Sequence, residues 1–466
     1  MRLIPALNLD FCFDEAYTFF TRDHSFYRLI WFDPAHPPFF YWLMKAWSLI
    51  RTDTFFLRLP SLSFSFFSFI LIFLIAKTIK FNKYFPILTV FFFSISVLNI
   101  EESFQLRMYA LALFLMLLSL YSYLKILFKT KYSKLFLIIF CLANFLGILT
   151  DYSFIWYFLA LFIANLSFLL FQKKIDFKKE VFFVKDGFFI STVLMILWLP
   201  FFVANFERAS KIFYSPISMV NEIKGLFLSN CFESFKQESV LFFIVLAISI
   251  FSGIYLLYLS KKKQQEKIFV FWLIINLFFY IAIFCSLLTN LFFHHLVLPS
   301  KNLIIATFFP IFSFSGLISL CLTKKQIIFK ISGFLVACFL ITSIFYSLMN
   351  TYFYKEQTFY GKPSYKDAAS FIRSNIDLSY ERITFIPSWQ SFLFKYYFLN
   401  YDNNQGMKKI SYKTCEEALL FKENNFSCWL VNPNLVLQKT NKTFLSCFDN
   451  NQQFYYKKAY FFKCQF

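Results

Sequence analysis

Glycine is nearly missing from this chain: 8 residues in 466, none of them gathered into a loop that would cradle a phosphate. Charge is scarce as well, at 15% Asp, Glu, Lys and Arg against 59% hydrophobic residues. A soluble domain of this size does not tolerate that balance, so the chain reads as an integral membrane protein. It has no CxxC and no His–Cys spacing of the kind that binds zinc, no internal repeat and no low-complexity linker. Acids are the minority, 26 against 46 Lys and Arg, for a net charge of +20. Such a charge invites a nucleic-acid partner, but the positions of the lysines argue against one.

What is present is a series of apolar stretches. They fall at about 58–79, 85–100, 105–128, 134–150, 152–171, 187–206, 239–260, 268–290, 302–322 and 328–350, each long enough to cross a bilayer with some tilt. The connections alternate in character. One set is basic: Lys77, Lys80 and Lys83; Lys129, Lys131 and Lys134; Lys173 to Lys185; Lys261 to Lys267; Lys324, Lys325 and Lys330. The other set carries Glu101 and Glu102, Asp151, a mixed-charge loop over 207–238, and His294 to Lys301. The positive-inside rule makes the lysine loops cytoplasmic and every other loop external. The lysines are therefore the hinges of a membrane protein, and the phenylalanine stripes are its core and lipid face.

The same alternation puts 1–57 and everything beyond about 350 outside. An external N-terminus without a preceding span reads in two ways: it translocates unaided, or, the favoured reading, the start lies downstream of a first span with Met1 to Phe13 as its outer end. From Tyr352 the long apolar runs stop. Residues 365–375 have helical spacing, and Ile383 to Ile386 and Cys428 to Val431 are strand-like, which predicts a small external α/β domain over 351–466. Its Cys415, Cys428, Cys447 and Cys464 are an even set in a compartment where disulfides form, whereas Cys141, Cys285, Cys321 and Cys338 lie in apolar spans as small hydrophobes.

Charge concentrates in one stretch, 14–38, which holds Asp14, Glu15, Arg22, Asp23, His24, Arg28, Asp33 and His36. The run His36-Pro37-Pro38 cannot continue a helix. After it, Phe40, Leu43, Met44 and Trp47 recur at helical spacing, as in a short helix lying on the membrane surface. Asp14 reads either as a solvated helix cap or as a reactive acid beside Tyr17. Glu15 is a second acid or the group that orients Asp14. Asp33 and His36 read as turn chemistry around the prolines, or as an acceptor or metal site. Arg58 reads as an interface anchor. Arg107, with Glu102 and Tyr109 near the head of a span, either snorkels or holds a phosphate, for which its planar fork is suited. Lys301 adds a further cation, and His294 and His295 read as interfacial. On this topology all of them face the outer side.

Carboxylates and cations at an outer membrane surface, with no nucleotide fold, suit sugar transfer from a polyprenyl-phosphate donor. A carboxylate takes the acceptor's proton while cations stabilise the departing phosphate, and a single displacement inverts the anomeric centre. No motif implies a cofactor, and a divalent cation is compatible with the acids.

The order DEAY at 14–17, D-x-x-HPP-FFYW at 33–42, LRLPS at 57–61 and LRMYAL at 106–111 resembles the membrane glycosyltransferases of the GT-C fold. The branch is that of protein O-mannosyltransferases and the aminoarabinose transferase of lipid A. LTDYSFIWY at 149–157 and PSKNLIIATFFP at 299–310 extend the likeness. The resemblance implies a mostly α polytopic bundle over 1–350, with an outer loop at 14–57 and a soluble external domain over 351–466. It implies Asp14 as catalytic base with Glu15 beside it, a site shaped by Asp33 and His36, and a phosphate contact from Arg107. Two departures stand out: Gln105 where relatives carry Glu, with Glu102 as the nearest substitute, and Lys301-Asn302 where relatives carry Arg-Tyr. The implied donor is a polyprenyl-phosphate sugar, and the acceptor a lipid, glycan or protein. A transporter or flippase, or a polymerase or ligase of lipid-linked glycans, is the rival reading; a transporter would need a polar path through the spans.

Overall fold

The computed structural model describes residues 6–7, 11–33, 36–128, 133–171, 178–212, 239–262, 266–293, 308–349, 381–385, 396, 427–432, 453–456 and 459–465. Its helices are α1 Phe13–Phe20, α2 Phe26–Phe32, α3 Phe39–Trp47, α4 Thr54–Ile79, α5 Phe85–Ile95, α6 Val97–Phe104 and α7 Tyr109–Leu127. They continue with α8 Ser133–Ile148, α9 Phe154–Phe171, α10 Lys178–Ile212, α11 Ser239–Lys262, α12 Glu266–Phe293, α13 Phe308–Thr323 and α14 Ile327–Met349. Four strands follow: β1 Glu381–Phe385, β2 Ser427–Asn432, β3 Gln453–Tyr456 and β4 Ala459–Gln465.

Among the described residues every apolar stretch read from the sequence carries a helix, with two informative differences. The stretch 85–100 is two helices, because Ser96 turns to an extended conformation (φ −61°, ψ 122°) and separates α5 from α6. The stretch 105–128 becomes helical only at Tyr109. Gln105 is extended (φ −74°, ψ 144°), and the Arg107 amide closes a three-residue turn on the Gln105 carbonyl at 2.8 Å. Arg107 therefore sits in a turn ahead of α7.

Among the described residues, Thr54–Ile79, Tyr109–Leu127 and Val184–Asn205 are helical stretches long and apolar enough to cross a membrane, and six shorter apolar helices accompany them. Large apolar side chains stay exposed along these helices, such as Phe66, Phe67 and Phe73 on α4, Ile138 and Leu142 on α8, and Phe334 and Leu335 on α14. In water such surface would be a liability; against lipid it is the favoured partner. The chain is a multi-pass membrane protein.

Contacts divide the chain into two compact units. The first comprises Met1–Arg2, His24–Leu43 and Leu59–Thr351; the second comprises Leu3–Asp23, Met44–Arg58 and Tyr352–Phe466. Compactness thus cuts the sequence differently from a simple division at 350. In the second unit the strands form one sheet in the order β1-β2-β4-β3, with β1 parallel to β2 and the other pairs antiparallel. Its register sets Cys428 opposite Cys464. The helical spacing over 365–375 and the cysteines Cys415 and Cys447 lie outside the described residues.

Within the first unit, α7 packs on α8, α8 on α10, α9 on α12, and α13 on α5, α11 and α14. Small polar side chains join the spans: the Ser119 hydroxyl donates to Asn144 Oδ1 at 2.8 Å, and Tyr123 donates to Asn165 Oδ1 at 3.2 Å. Such bonds hold helices together where lipid supplies no hydrophobic drive. One close approach is at Gly316 of α13, where a Cβ would stand 2.6 Å from the Trp272 ring of α12 and 2.7 Å from Leu256 of α11. Gly316→Ala sets about 1 kcal/mol of helix propensity in favour of alanine against about 1–3 kcal/mol of overpacking. The clash is with a fully buried indole, so the variant is expected to unfold at a lower temperature in detergent than the parent.

Candidate active site

The second unit holds a cluster built on the acid pair of α1. Cys12 is the N-cap, and Glu15, three residues on, turns back so that its Oε2 accepts the Cys12 amide at 3.0 Å. This closes a capping box, with both acids in the first turn, where the helix dipole favours negative charge. The same Glu15 carboxylate receives Arg58 in a fork: Nε to Oε1 and Nη2 to Oε2, each 2.8 Å. The remaining guanidinium arm donates to the Ala6 carbonyl at 3.1 Å, and Phe11 lies 5.1 Å below the guanidinium carbon.

Arg58 and Glu15 are 1% and 2% exposed. A charge that deep persists only when paired and hydrogen-bonded, which corrects the reading of Arg58 as an interface anchor. At the head of α4, Asp53 caps the helix by accepting the Phe56 amide at 3.0 Å, and Arg58 follows within the next turn. Asp14, one position before Glu15 and so about 100° round the helix, is half-buried, and its backbone carbonyl accepts the Thr18 hydroxyl at 2.9 Å. Tyr17 is likewise half-buried.

A residue that sequence reasoning missed completes this unit. Tyr396 donates its hydroxyl to the Thr52 carbonyl at 2.8 Å and packs its ring on Phe11 (4.7 Å) and edge-on to Phe19 (4.9 Å, 82°). It is fully buried and holds α1 and the start of α4 from a position more than 300 residues away in sequence.

In the first unit a second polar cluster lies where α2, α3, α7 and α9 meet their loops. Asp33, at the end of α2, is buried and accepts the Tyr41 hydroxyl of α3. The start of α3 is fixed by a bond from the Phe39 amide to the Leu149 carbonyl at 2.9 Å, which brings the loop after α8 alongside. In that loop Asp151 accepts the Ser153 amide at 2.7 Å, and the Tyr152 hydroxyl receives Asn205 at 3.4 Å. Burial pushes the Tyr152 hydroxyl up to about 12; the Asn205 bond opposes the shift, and the charges of Asp33 and Asp151 add to it.

His36 Nε2 stands 3.0 Å from Arg107 Nη2. A guanidinium only donates, so Nε2 accepts and this imidazole is held neutral with its proton on Nδ1. Tyr109 meets the His36 ring edge-on at 6.4 Å and lies 5.8 Å from the Arg107 guanidinium carbon. Arg107 and Glu102 are both buried. The structure thus brings Asp33 to Tyr41, and His36 to Arg107 and Tyr109. Among the described residues no group of three or more His, Cys, Asp or Glu is placed to hold a metal ion. Lys301, His294 and His295 lie outside the described residues.

No protein-family model matches the sequence, and neither does any curated protein. Solved structures do. ArnT from Cupriavidus metallidurans in the apo state is similar over 99% of this chain and 95% of its own, at 9% identity and a TM-score of 0.57. The apo oligosaccharyltransferase of Archaeoglobus fulgidus is similar over 80% of this chain and 56% of its own, at 12% identity and a TM-score of 0.53. At such identities the likeness is one of fold, and that fold is GT-C, the architecture of membrane glycosyltransferases. Within it, this chain follows ArnT from end to end.

Removing one partner of the buried Glu15–Arg58 pair leaves the other charge stranded, at a cost of about 3–5 kcal/mol. Arg58→Ala and Glu15→Gln are each expected to lower the thermal midpoint strongly. The apolar double variant Glu15→Leu with Arg58→Met should recover most of that loss. A double variant no more stable than the single ones would mean that the pair's geometry, not its stranded charge, sets the cost.

Proposed function

We propose that the chain is an inverting glycosyltransferase that moves a sugar from a polyprenyl-phosphate-linked donor to an acceptor hydroxyl at the outer face of the cytoplasmic membrane. The observation that carries this reading is the division of labour in the acid pair of α1. Glu15 is committed to Arg58 and to the helix cap, while Asp14 beside it remains half-exposed on a rigid first turn.

In this mechanism Asp14 is the general base. It takes the acceptor's hydroxyl proton as that oxygen bonds to the anomeric carbon. The bond from that carbon to the phosphate oxygen breaks with its electron pair, and polyprenyl phosphate departs. Attack from the opposite face in one step inverts the centre. Glu15 acts through Arg58 as a positioning residue, fixing the turn that carries Asp14. Arg107, steadied by neutral His36 and the Tyr109 ring, is the phosphate contact, and its planar fork suits phosphate oxygens. Asp33, Tyr17, Glu102 and Lys301 are assigned to substrate binding, and the alternation of basic loops supports an external working face and C-terminal domain.

The fold supports the same class, since ArnT and the oligosaccharyltransferase have it. A transporter of lipid-linked sugars is less well supported. The charged residues of the described membrane helices lie toward helix ends, and among the polar groups of their middles Ser119 bonds to Asn144 and Tyr123 to Asn165 between helices.

The test is transfer from a polyprenyl-phosphate sugar by the purified chain, with products identified by mass spectrometry. Asp14→Asn is expected to lower the rate by about 10²- to 10⁴-fold, and Arg107→Ala by about 10²- to 10³-fold, both with unfolding temperatures near the parent's. Undiminished transfer by both variants would reject the assignment.

A further inference from the structure

An apolar groove between α4 and α5 of the first unit is used by nothing described so far. It is open, about 400 Å³, and lined by Phe69, Ile70 and Phe73 of α4 and Ile87 and Val90 of α5. No polar side chain enters that lining, which suits an alkyl chain and little else. Its order along the two helices is regular. The floor is the edge-to-face pair of Phe69 with Phe93 (5.1 Å, 79°). One helical turn nearer the α4–α5 connection come Phe73 and Ile87, and one turn beyond those the connection itself, with Lys77, Lys80 and Lys83.

The basic end is built as well as charged. Lys77 Nζ stands 6.0 Å over the ring of Phe73, itself a wall of the groove, and Lys83 Nζ lies 4.9 Å over Tyr84. Lys80 takes a left-handed conformation, φ 54°, at the tight turn out of α4. Asn82 then fixes the connection from both ends of its amide: Oδ1 accepts the Tyr84 and Phe85 amides at 3.0 Å each, and Nδ2 donates to Ser319 of α13 at 2.9 Å. All three lysines are exposed, and no described acidic side chain is ion-paired with them.

We infer that the α4–α5 groove and the Lys77, Lys80 and Lys83 connection form one binding site for an anionic phospholipid, its acyl chain along Phe73 and Ile87 and its phosphate on the lysines. Charge complementarity selects the occupant. Three ammonium groups at the rim of an apolar channel match a negative headgroup joined to an alkyl chain, whereas a zwitterionic lipid brings its own cation to the same place. Basic pockets at the ends of transmembrane helices recognise anionic lipids in this way. The site lies at the N-terminal end of α5, and the His36–Arg107 pair beyond the C-terminal end of α6, so the inference stands independently of the proposed reaction.

The experiment titrates the detergent-solubilised full chain with phosphatidylglycerol, phosphatidylcholine or inorganic phosphate and reads thermal stabilisation. Phosphatidylglycerol is expected to stabilise at lower concentration than phosphatidylcholine, and inorganic phosphate to give no shift. The triple variant Lys77→Gln, Lys80→Gln and Lys83→Gln should need on the order of a hundredfold more phosphatidylglycerol. Filling the groove with Ile70→Trp and Ile87→Trp, at exposed positions that tolerate bulk, should weaken the response at least several-fold with all lysines intact. A triple variant or a groove-filled variant that titrates like the parent would overturn the site, as would a shift reproduced by phosphate alone.

Discussion

A carboxylate and a guanidinium that are both almost fully buried have no solvent to fall back on, and the Glu15–Arg58 pair is held by that necessity. Two parallel bonds of 2.8 Å join them. The backbone of Cys12 and of Ala6 takes up further bonding capacity on either side. One ion pair thereby fixes the N-terminal turn of α1, the start of α4 and the segment before α1. Its worth lies less in net stability, since buried pairs are often no better than apolar replacements, than in specifying a single orientation for the turn that carries Asp14.

The first unit meets the same constraint with different chemistry. Its spans have few charges and join through serine, asparagine and tyrosine bonds, and its helices approach closely where Gly316 lets Trp272 in. The charged groups it does bury stand at helix ends and loops: Asp33 under Tyr41, Asp151 on the Ser153 amide, Arg107 against His36. A membrane protein can place chemistry there without exposing a charge to hydrocarbon. At the opposite end of α5 the charges are unburied lysines beside an apolar groove, a setting for lipid and not for catalysis.

Much of this was legible in the sequence, because apolar runs between charged hinges dictate helices and the α1 and HPP motifs are local. The strands at 381–385 and 427–432 were legible for the same reason. What escaped was either subtle or distant. The breaks at Ser96 and Gln105 interrupt stretches whose composition stays apolar, and only backbone conformation reveals them. Arg58 at the head of a long apolar run has the signature of an interface anchor, and nothing within its own helix announces a partner 43 residues earlier. Tyr396 is one tyrosine among 27, and its contacts with Phe11, Phe19 and Thr52 depend on tertiary structure alone.

The division between the two acids of α1 is the central claim, and the most direct measurement is a structure of the purified chain with a non-transferable polyprenyl-phosphonate sugar bound. The Asp14 carboxylate should then face the side of the anomeric carbon from which an acceptor attacks, about 3–3.5 Å from an acceptor oxygen where one is present, with Glu15 still forked onto Arg58. A bound sugar that draws Glu15 away from Arg58, or that leaves Asp14 facing solvent on the far side of α1, would contradict it.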